Sequence, residues 1–468
     1  MFSKKGKYEI DMCSGPILSK MLAFTLPLMF SSILQLLFNA ADIIVVGRYA
    51  GKTALAAVGS TTSLINLLTN LFVGLSVGAN VTAARFYGAK QDKDLSETMH
   101  TSVAMSIISG AILTLIGVTM AKSMLILMKT DANVLSSATR YLRIYFLGMI
   151  PNMVYNFGSA VLRAVGDTKR PLYYLLAAGV INVILNLIFV IGLNMDVAGV
   201  AIPTVISQTI SAALVLRCLI KETGALKLGV KKIKITFHKL KLILRVGLPA
   251  GFQGVVFALS NVVIQSSVNL FGETVVAGNS AAANIEGFVY FAMNAFYQST
   301  ISFMSQNFGA KKYDRLNKIL FRGELCVTVV GLLLGNAAVL FGPQLLGIYA
   351  KGDAAVIAAG MVRLKIICGT YALCGIMDVM VGGLRGLGYS VVPMIVSLIG
   401  ACALRLLWIA TVFQMPQYHL IKTVYYSYPI TWSITITAHV ISYIIARRSV
   451  RKRFEKGISD CPLPSDEG

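Results

Sequence analysis

Gln35-Leu-Leu-Phe-Asn39-Ala-Ala-Asp42-Ile-Ile-Val-Val-Gly47-Arg48 places one carboxylate near the end of an apolar run that begins around Ile17. A charge at that depth in a membrane costs roughly 2.5–3.5 kcal/mol on insertion scales. The apolar run predicts a membrane-spanning helix, and the acid inside it is a functional candidate. The bland alternative is an acid that snorkels to the interface or caps the helix. The second half of the chain repeats the stretch with Ile264 where the acid would fall, at an offset of 222 (264 − 42).

The rest of the chain extends that pattern. Of its 468 residues 56% are hydrophobic and 13% charged, and the mean hydropathy is +0.73; soluble domains carry about 25% charged residues. The fold class is an all-α polytopic membrane protein with twelve transmembrane helices. They fall at about 17–46, 53–80, 97–128, 139–162, 171–193, 198–220, 242–270, 275–306, 319–349, 357–384, 390–413 and 424–446. No short charged-then-apolar signal segment precedes the first span, which is expected to be retained.

The net charge of +22 sits between the spans. Lys4, Lys5, Lys7 and Lys20 precede span 1, eight Lys/Arg residues from Arg217 to Lys241 follow span 6, and Lys311 to Arg322 follow span 8. Arg447, Arg448, Arg451, Lys452, Arg453 and Lys456 end the chain, whereas Asn194-Met-Asp196 and Gly272-Glu273-Thr274 hold no base. All the basic segments fall on one side of a twelve-span chain, which predicts cytoplasmic termini. The bases serve topology and contact with membrane lipid, and no nucleic-acid partner is expected. The seven cysteines show no Cys-x-x-Cys spacing and read as packing residues.

The chain is duplicated. Leu26-Pro27 matches Leu248-Pro249, Asn39 matches Asn261, and Gly88-Ala-Lys90 matches Gly309-Ala-Lys311. Leu162-Arg163-Ala-Val-Gly166…Pro171 matches Leu384-Arg385-Gly-Leu-Gly388…Pro393. Each copy holds six helices, so both insert with one orientation and form pseudo-twofold-related lobes, as in duplicated transporters. The expected divisions are 1–220 (first lobe), 221–240 (linker), 241–446 (second lobe) and 447–468 (basic tail). Pro27, Pro151, Pro203, Pro249, Pro393 and Pro429 are kink sites.

Several chemistries are excluded. There is no G-x-x-x-x-G-K-[ST] loop, and none of His100, His238, His419 and His439 pairs at metal spacing. No paired catalytic carboxylates or nucleophile elbow appear, so an enzyme is not expected. The embedded acids are Asp42, Glu286 and Asp378; Arg405 is the mid-span base, with Arg245, Arg363 and Lys365 nearer span ends. Met293, Phe296 and Tyr297 follow Glu286 at helical spacing, and this acidic face suits an organic cation, or else serves helix packing. Asp378 faces substrate or pairs with Arg405 as a structural ion pair. Asn182 and Asn186 lie on one face of span 5, and Thr204 and Gln208 on one face of span 6. Their oxygens can ligate Na⁺ beside Asp42 or serve interhelical hydrogen bonds.

The chain resembles the MATE (multidrug and toxic compound extrusion) family over about residues 15–446, most closely its bacterial MepA-like branch. The resemblance rests on the two six-helix copies, Asn39-Ala-Ala-Asp42…Gly47-Arg48, the two Gly-Ala-Lys motifs and the duplicated Leu-Arg-x-x-Gly…Pro blocks. Asn182-Val-Ile-Leu-Asn186, Ala198-Gly-Val-Ala-Ile-Pro-Thr204, Asn279–Gly287 and Gln306–Lys311 extend it. It implies an antiporter of the bacterial cytoplasmic membrane, coupled to Na⁺ or H⁺, that exports cationic amphipathic drugs by alternating access. No other cofactor and a monomer are expected. The ion-coupling set would be Asp42, Asn39, Asn182, Asn186 and Thr204, and the substrate set Glu286, Met293, Asp378 and Gln35. Many relatives carry an Asp where Asn186 stands, so Asp42 would be the lone titrating group of its cluster. A second branch of the family uses acids in spans 7 and 10. Span 7 has none here, and that span-10 position falls near Cys374. The alternatives are a lipid or polysaccharide-precursor flippase of the same superfamily, which would need several basic cavity residues, and a receptor or membrane enzyme, which the repeat disfavours.

Overall fold

Helix follows helix along the whole chain, because long apolar segments without water must satisfy every backbone N–H and C=O internally. The computed structural model describes residues 8–350 and 352–455; Lys4, Lys5, Lys7, Lys456, Cys461 and most of the 447–468 tail lie outside them. The elements are α1 (Ile17–Val45), α2 (Gly51–Gly88), α3 (Asp92–Leu127), α4 (Ala132–Leu147), α5 (Met149–Ala164), α6 (Lys169–Leu187), α7 (Ala198–Lys221) and α8 (Phe237–Asn269). They continue with α9 (Glu273–Gly309), α10 (Tyr313–Leu340), α11 (Gly342–Ala350), α12 (Ala354–Ile367), α13 (Ala372–Gly386), α14 (Val391–Ser397), α15 (Leu404–Ala410) and α16 (Ile421–Glu455). With α4–α5, α12–α13 and α14–α15 each counted as one crossing and the short α11 set aside, twelve crossings result.

Among the described residues, eight helical runs are long and apolar enough to cross a membrane by themselves, and Ile17–Gly88, at 72 residues, is long enough for two passages. The α12–α13 pair, bent by 45°, makes a ninth. The α4–α5 crossing breaks at Gly148, and Pro151 then occupies the first turn of α5, where its missing N–H removes no helical bond. Long α9 fails on polarity rather than length: it carries Asn279, Asn284, Glu286 and Asn294 among its apolar residues.

The duplication is visible in the backbone. Gly51 opens α2 at φ 89° and ψ 173°, and Gly272 opens α9 at φ 85° and ψ 172°. This region is open essentially only to glycine. Lys90 and Lys311, which follow the two Gly-Ala pairs, share positive φ values of 58° and 56°. Asp131 caps α4 and Asp353 caps α12, each accepting from backbone N–H groups of the first turn.

Two compact units form. Unit 1 comprises Met1–Asp11 and Phe30–Gly251; unit 2 comprises Met12–Met29 and Phe252–Gly468. The first helix of each copy changes unit two residues after its proline, α1 after Pro27 and α8 after Pro249. In unit 1, α2 meets the first half of α8 at glycines: a Cβ on Gly74 would stand 2.2 Å from the Gly251 backbone. Unit 1 buries Ala54, Ala57, Leu113, Phe146, Phe157 and Val200 in one core.

Candidate functional site

The helix that carries Asp42 does not end cleanly. α1 runs into a π-helical turn at Val46–Ala50, and α6, which carries Asn182 and Asn186, runs into another at Ile188–Gly192. The two turns touch. Such wide turns are rare and gather at functional sites, where they re-aim the side chains beside them. Thr204 enters from the second turn of α7, next to Pro203.

These elements bring four predicted residues of unit 1 together. Asn186 is fully buried and its Nδ2 donates to Asp42 Oδ1 at 2.5 Å. Asn182, 4% exposed, lies between Asp42, Asn186 and Thr204. Its amide has two settings. With the nitrogen toward Asp42, it donates to Oδ1 at 2.9 Å and its carbonyl accepts from the Thr204 N–H at 3.3 Å. With the oxygen toward Asp42, that oxygen accepts from Asn186 at 3.2 Å and Nδ2 donates to Thr204 Oγ1 at 3.4 Å.

The second setting sets two acceptors against each other. It needs a proton on Asp42 or a cation between the oxygens. Asn186 Oδ1 is buried with no donor facing it, a further hard oxygen of the same cluster. One carboxylate, two amides and a hydroxyl can therefore take up a monovalent cation and signal its presence through an amide turn to α7. Tyr141 and Tyr145 of α4 lie in the field of Asp42, and their rings stack at 5.9 Å. Asn39 and Gln35 sit on the exposed side of α1, and no described hydrogen bond ties either to the cluster.

Unit 2 departs from the expectations. Glu286 is not a free acid: Arg363 holds its Oε2 through Nε at 3.0 Å and Nη2 at 2.7 Å. Arg363 Nη1 also donates to Asn279 Oδ1 at 2.8 Å, and Tyr425 OH donates to the same oxygen at 3.1 Å. The acid is neutralised inside its own unit, which corrects the reading of Glu286 as an open cation-attracting face. Met293 is likewise packed: a Cβ on Gly331 would stand 2.9 Å from its sulfur.

The expected Asp378–Arg405 ion pair is absent among the described residues. Arg405 donates to Thr431 Oγ1 at 3.2 Å, and its guanidinium lies 3.9 Å from the Tyr428 ring centroid. The ring face supplies part of the attraction an anion would have given. Sequence reasoning also passed over Glu324, in the middle of α10, whose two carboxylate oxygens are buried without a partner. An acid eleven residues into an otherwise apolar helix was the signal available.

The comparisons with known proteins meet this geometry at the repeat. The MatE family profile matches residues 27–188 and again 249–410. The chain belongs to the MatE family. Both matched blocks begin at the helix proline of α1 and α8, and the first block contains Asp42, Asn182 and Asn186. Members of this family are transporters rather than enzymes.

This MatE chain is 26% identical to the probable multidrug resistance protein YoeA of Bacillus subtilis over 422 residues, which is 88% of this chain and 90% of YoeA. It is 21% identical to the multidrug export protein MepA of Staphylococcus aureus, over 80% of this chain and 82% of MepA. Its fold matches a solved outward-facing multidrug resistance MATE family transporter with a TM-score of 0.88 and 21% identity, covering 97% of this chain and 100% of the other.

Proposed function

We propose that this MatE chain is an ion-coupled antiporter that exports cationic, amphipathic small molecules. The observation that carries this is the Asp42 cluster: a single carboxylate held at 2.5 Å by Asn186, beside an amide whose two settings correspond to an empty and a cation- or proton-loaded acid. Ion uptake on one face of the membrane changes the amide, the amide changes its bond to α7, and ion release on the other face resets it. Multidrug resistance and export proteins among its relatives support the drug-export part.

The site belongs in a bacterial cytoplasmic membrane, with both termini cytoplasmic and the basic segments Arg217–Lys241 and Lys311–Arg322 on the same side. A monomer is sufficient, because the four cluster residues come from one chain.

Dye export from energised inverted vesicles tests the assignment, under a Na⁺ gradient and a H⁺ gradient in turn. Asp42→Asn reduces gradient-driven export to the level of empty vesicles. Undiminished export by Asp42→Asn overturns the coupling role, and the gradient that drives the wild type identifies the ion.

A further inference from the structure

A second pair of acids lies in unit 2, away from Glu286. Two contacts set the register between α10 and α13. A Cβ on Gly323 would stand 3.3 Å from Val379 Cγ1, and a Cβ on Gly375 would stand 2.6 Å from Val327 Cγ2. Position rises on one helix as it falls on the other, so the two helices run antiparallel. Between the 323–379 and 327–375 contacts the register sets Glu324 opposite Asp378. Each lies in the other's electrostatic reach on this reading, and Asp378 is the charge that acts on Glu324.

Nothing neutralises the pair. Both Glu324 oxygens are buried without a hydrogen-bond partner. Thr300 of α9 adds a hydroxyl oxygen that is fully buried and unpartnered, 2.8 Å from where a Gly323 Cβ would stand. The one cation whose field reaches Asp378 is Arg385, and it is already held by Tyr297 and by Gln253 Oε1 at 2.7 Å. The other titratable groups facing the pair are Tyr290 of α9 and Cys374 of α13, both neutral in ordinary states; Arg322, on α10 itself, is exposed.

We propose that Glu324 and Asp378 form a second cation-binding site in which the two carboxylates share one proton, with Thr300 Oγ1 as a third oxygen. Two opposed carboxylates in an apolar interior cannot both ionise, so the first proton is held by the pair rather than by either residue. The proton comes from water and sits between the two acids; it leaves as hydronium when the contact between α10 and α13 opens. The site is independent of Asp42: it lies in the other unit and stands whether or not Asp42 couples transport.

Infrared spectroscopy of the full-length protein in lipid nanodiscs tests this, following the protonated-carboxyl C=O band across pH. In an Asp42→Asn background, which removes the unit 1 acid, the band persists. Adding Glu324→Gln together with Asp378→Asn removes it. Each single substitution leaves one acid free of like-charge repulsion, and its band titrates lower by at least about one pH unit. A merely structural acid would not shift its neighbour's titration.

Single monodisperse elution of each variant serves as the folding control, and Asp378→Asn alone suffices if Glu324→Gln does not fold. A band indifferent to both residues, or single variants with an unmoved midpoint, overturns the dyad. Loss of the band when sodium chloride replaces choline chloride at constant pH overturns the proton as occupant and makes the pair a sodium site.

Discussion

Unit 1 holds Asp42 with neutral amides and a hydroxyl, whereas unit 2 holds Glu286 with a guanidinium. The two copies share caps, glycine-opened helices and paired positive-φ lysines, yet their buried polar groups fall at non-matching positions. Ile264, 2% exposed, fills the place of Asp42. Aligned on the Gly51 and Gly272 helix starts, Glu286 falls on Ile65; aligned on the Asp131 and Asp353 caps, Arg363 falls on Tyr141. Ile65 and Tyr141 are both buried. The same scaffold thus accepts an apolar contact in one copy and an ion pair in the other. A neutral surround leaves a carboxylate able to change its charge, while a bidentate guanidinium locks it ionised. That difference assigns ion exchange to the first copy's cluster and rigidity to the second copy's pair.

The largest expected effect breaks the comparison on the unit 2 side. Arg363→Leu leaves Glu286 buried and uncompensated, and is expected to cost about 3–5 kcal/mol of stability. Glu286→Ile combined with Arg363→Tyr installs the residues of the first copy and is expected to be near neutral or stabilising. Thermal unfolding of monodisperse protein, followed by loss of the size-exclusion peak, measures both. A double variant as unstable as the single would show that the two contacts are not equivalent places in the repeat.

Ile264→Asp attacks from the other direction, adding the acid that the second copy lacks. No amide pair awaits it: positions 404 and 408, at the repeat offset from Asn182 and Asn186, are Leu404 and Trp408. The expected cost is roughly 2.5–3.5 kcal/mol, seen as lower yield in the membrane fraction, without any gain in gradient-driven export. Export raised by Ile264→Asp would mean that the acid alone, without its amides, makes a coupling site.

Asn186→Leu sharpens the unit 1 half. It removes the 2.5 Å donor to Asp42 and keeps the acid. Loss of a hydrogen bond to a charged group is worth about 1.5–3 kcal/mol, or roughly a ten- to hundredfold rise in the ion concentration that half-saturates export. Maximal export at saturating ion is expected to survive, which separates this variant from Asp42→Asn. Export assayed over a series of Na⁺ and H⁺ concentrations checks both parameters.

Much of this was legible in the linear chain, for physical reasons that also mark the limit. The span expected at 17–46 is α1, Ile17–Val45 with its π-helical turn, and that expected at 198–220 is α7, Ala198–Lys221. Hydropathy reports depth, and a helix in lipid has no other way to satisfy its backbone. Asn182, Asn186 and Thr204 were legible as a group because a spacing of four places side chains on one helix face. The partner of Glu286 was not: Arg363 lies 77 positions away on another helix, and read as a residue near a span end. Hydropathy gives no azimuth, so it could not show that Arg405 turns to Tyr428 rather than to Asp378. Glu324 went unread although the sequence displays it, because a single acid in a long apolar helix barely changes its mean hydropathy.

The smallest expected effect concerns what the copies share. Asp131 accepts from the Asn133 N–H at 2.8 Å, and Asp353 accepts from the Ala355 and Val356 N–H groups at 2.9 and 3.2 Å. Both caps satisfy otherwise orphaned donors at the start of a helix, and both carboxylates sit at the positive end of its dipole. Asp131→Ala and Asp353→Ala are each expected to cost about 1 kcal/mol, the second slightly more for its extra bond. The caps lie in different units and share no partner, so the double variant should lose the sum of the two. Thermal unfolding of the two single variants and the double checks this. A large effect at one cap and none at the other would mean that the duplication no longer extends to the caps. Matched small losses, beside the unequal responses at Asp42 and Glu286, would place the divergence of the copies in their buried charges and leave the helix frame common to both.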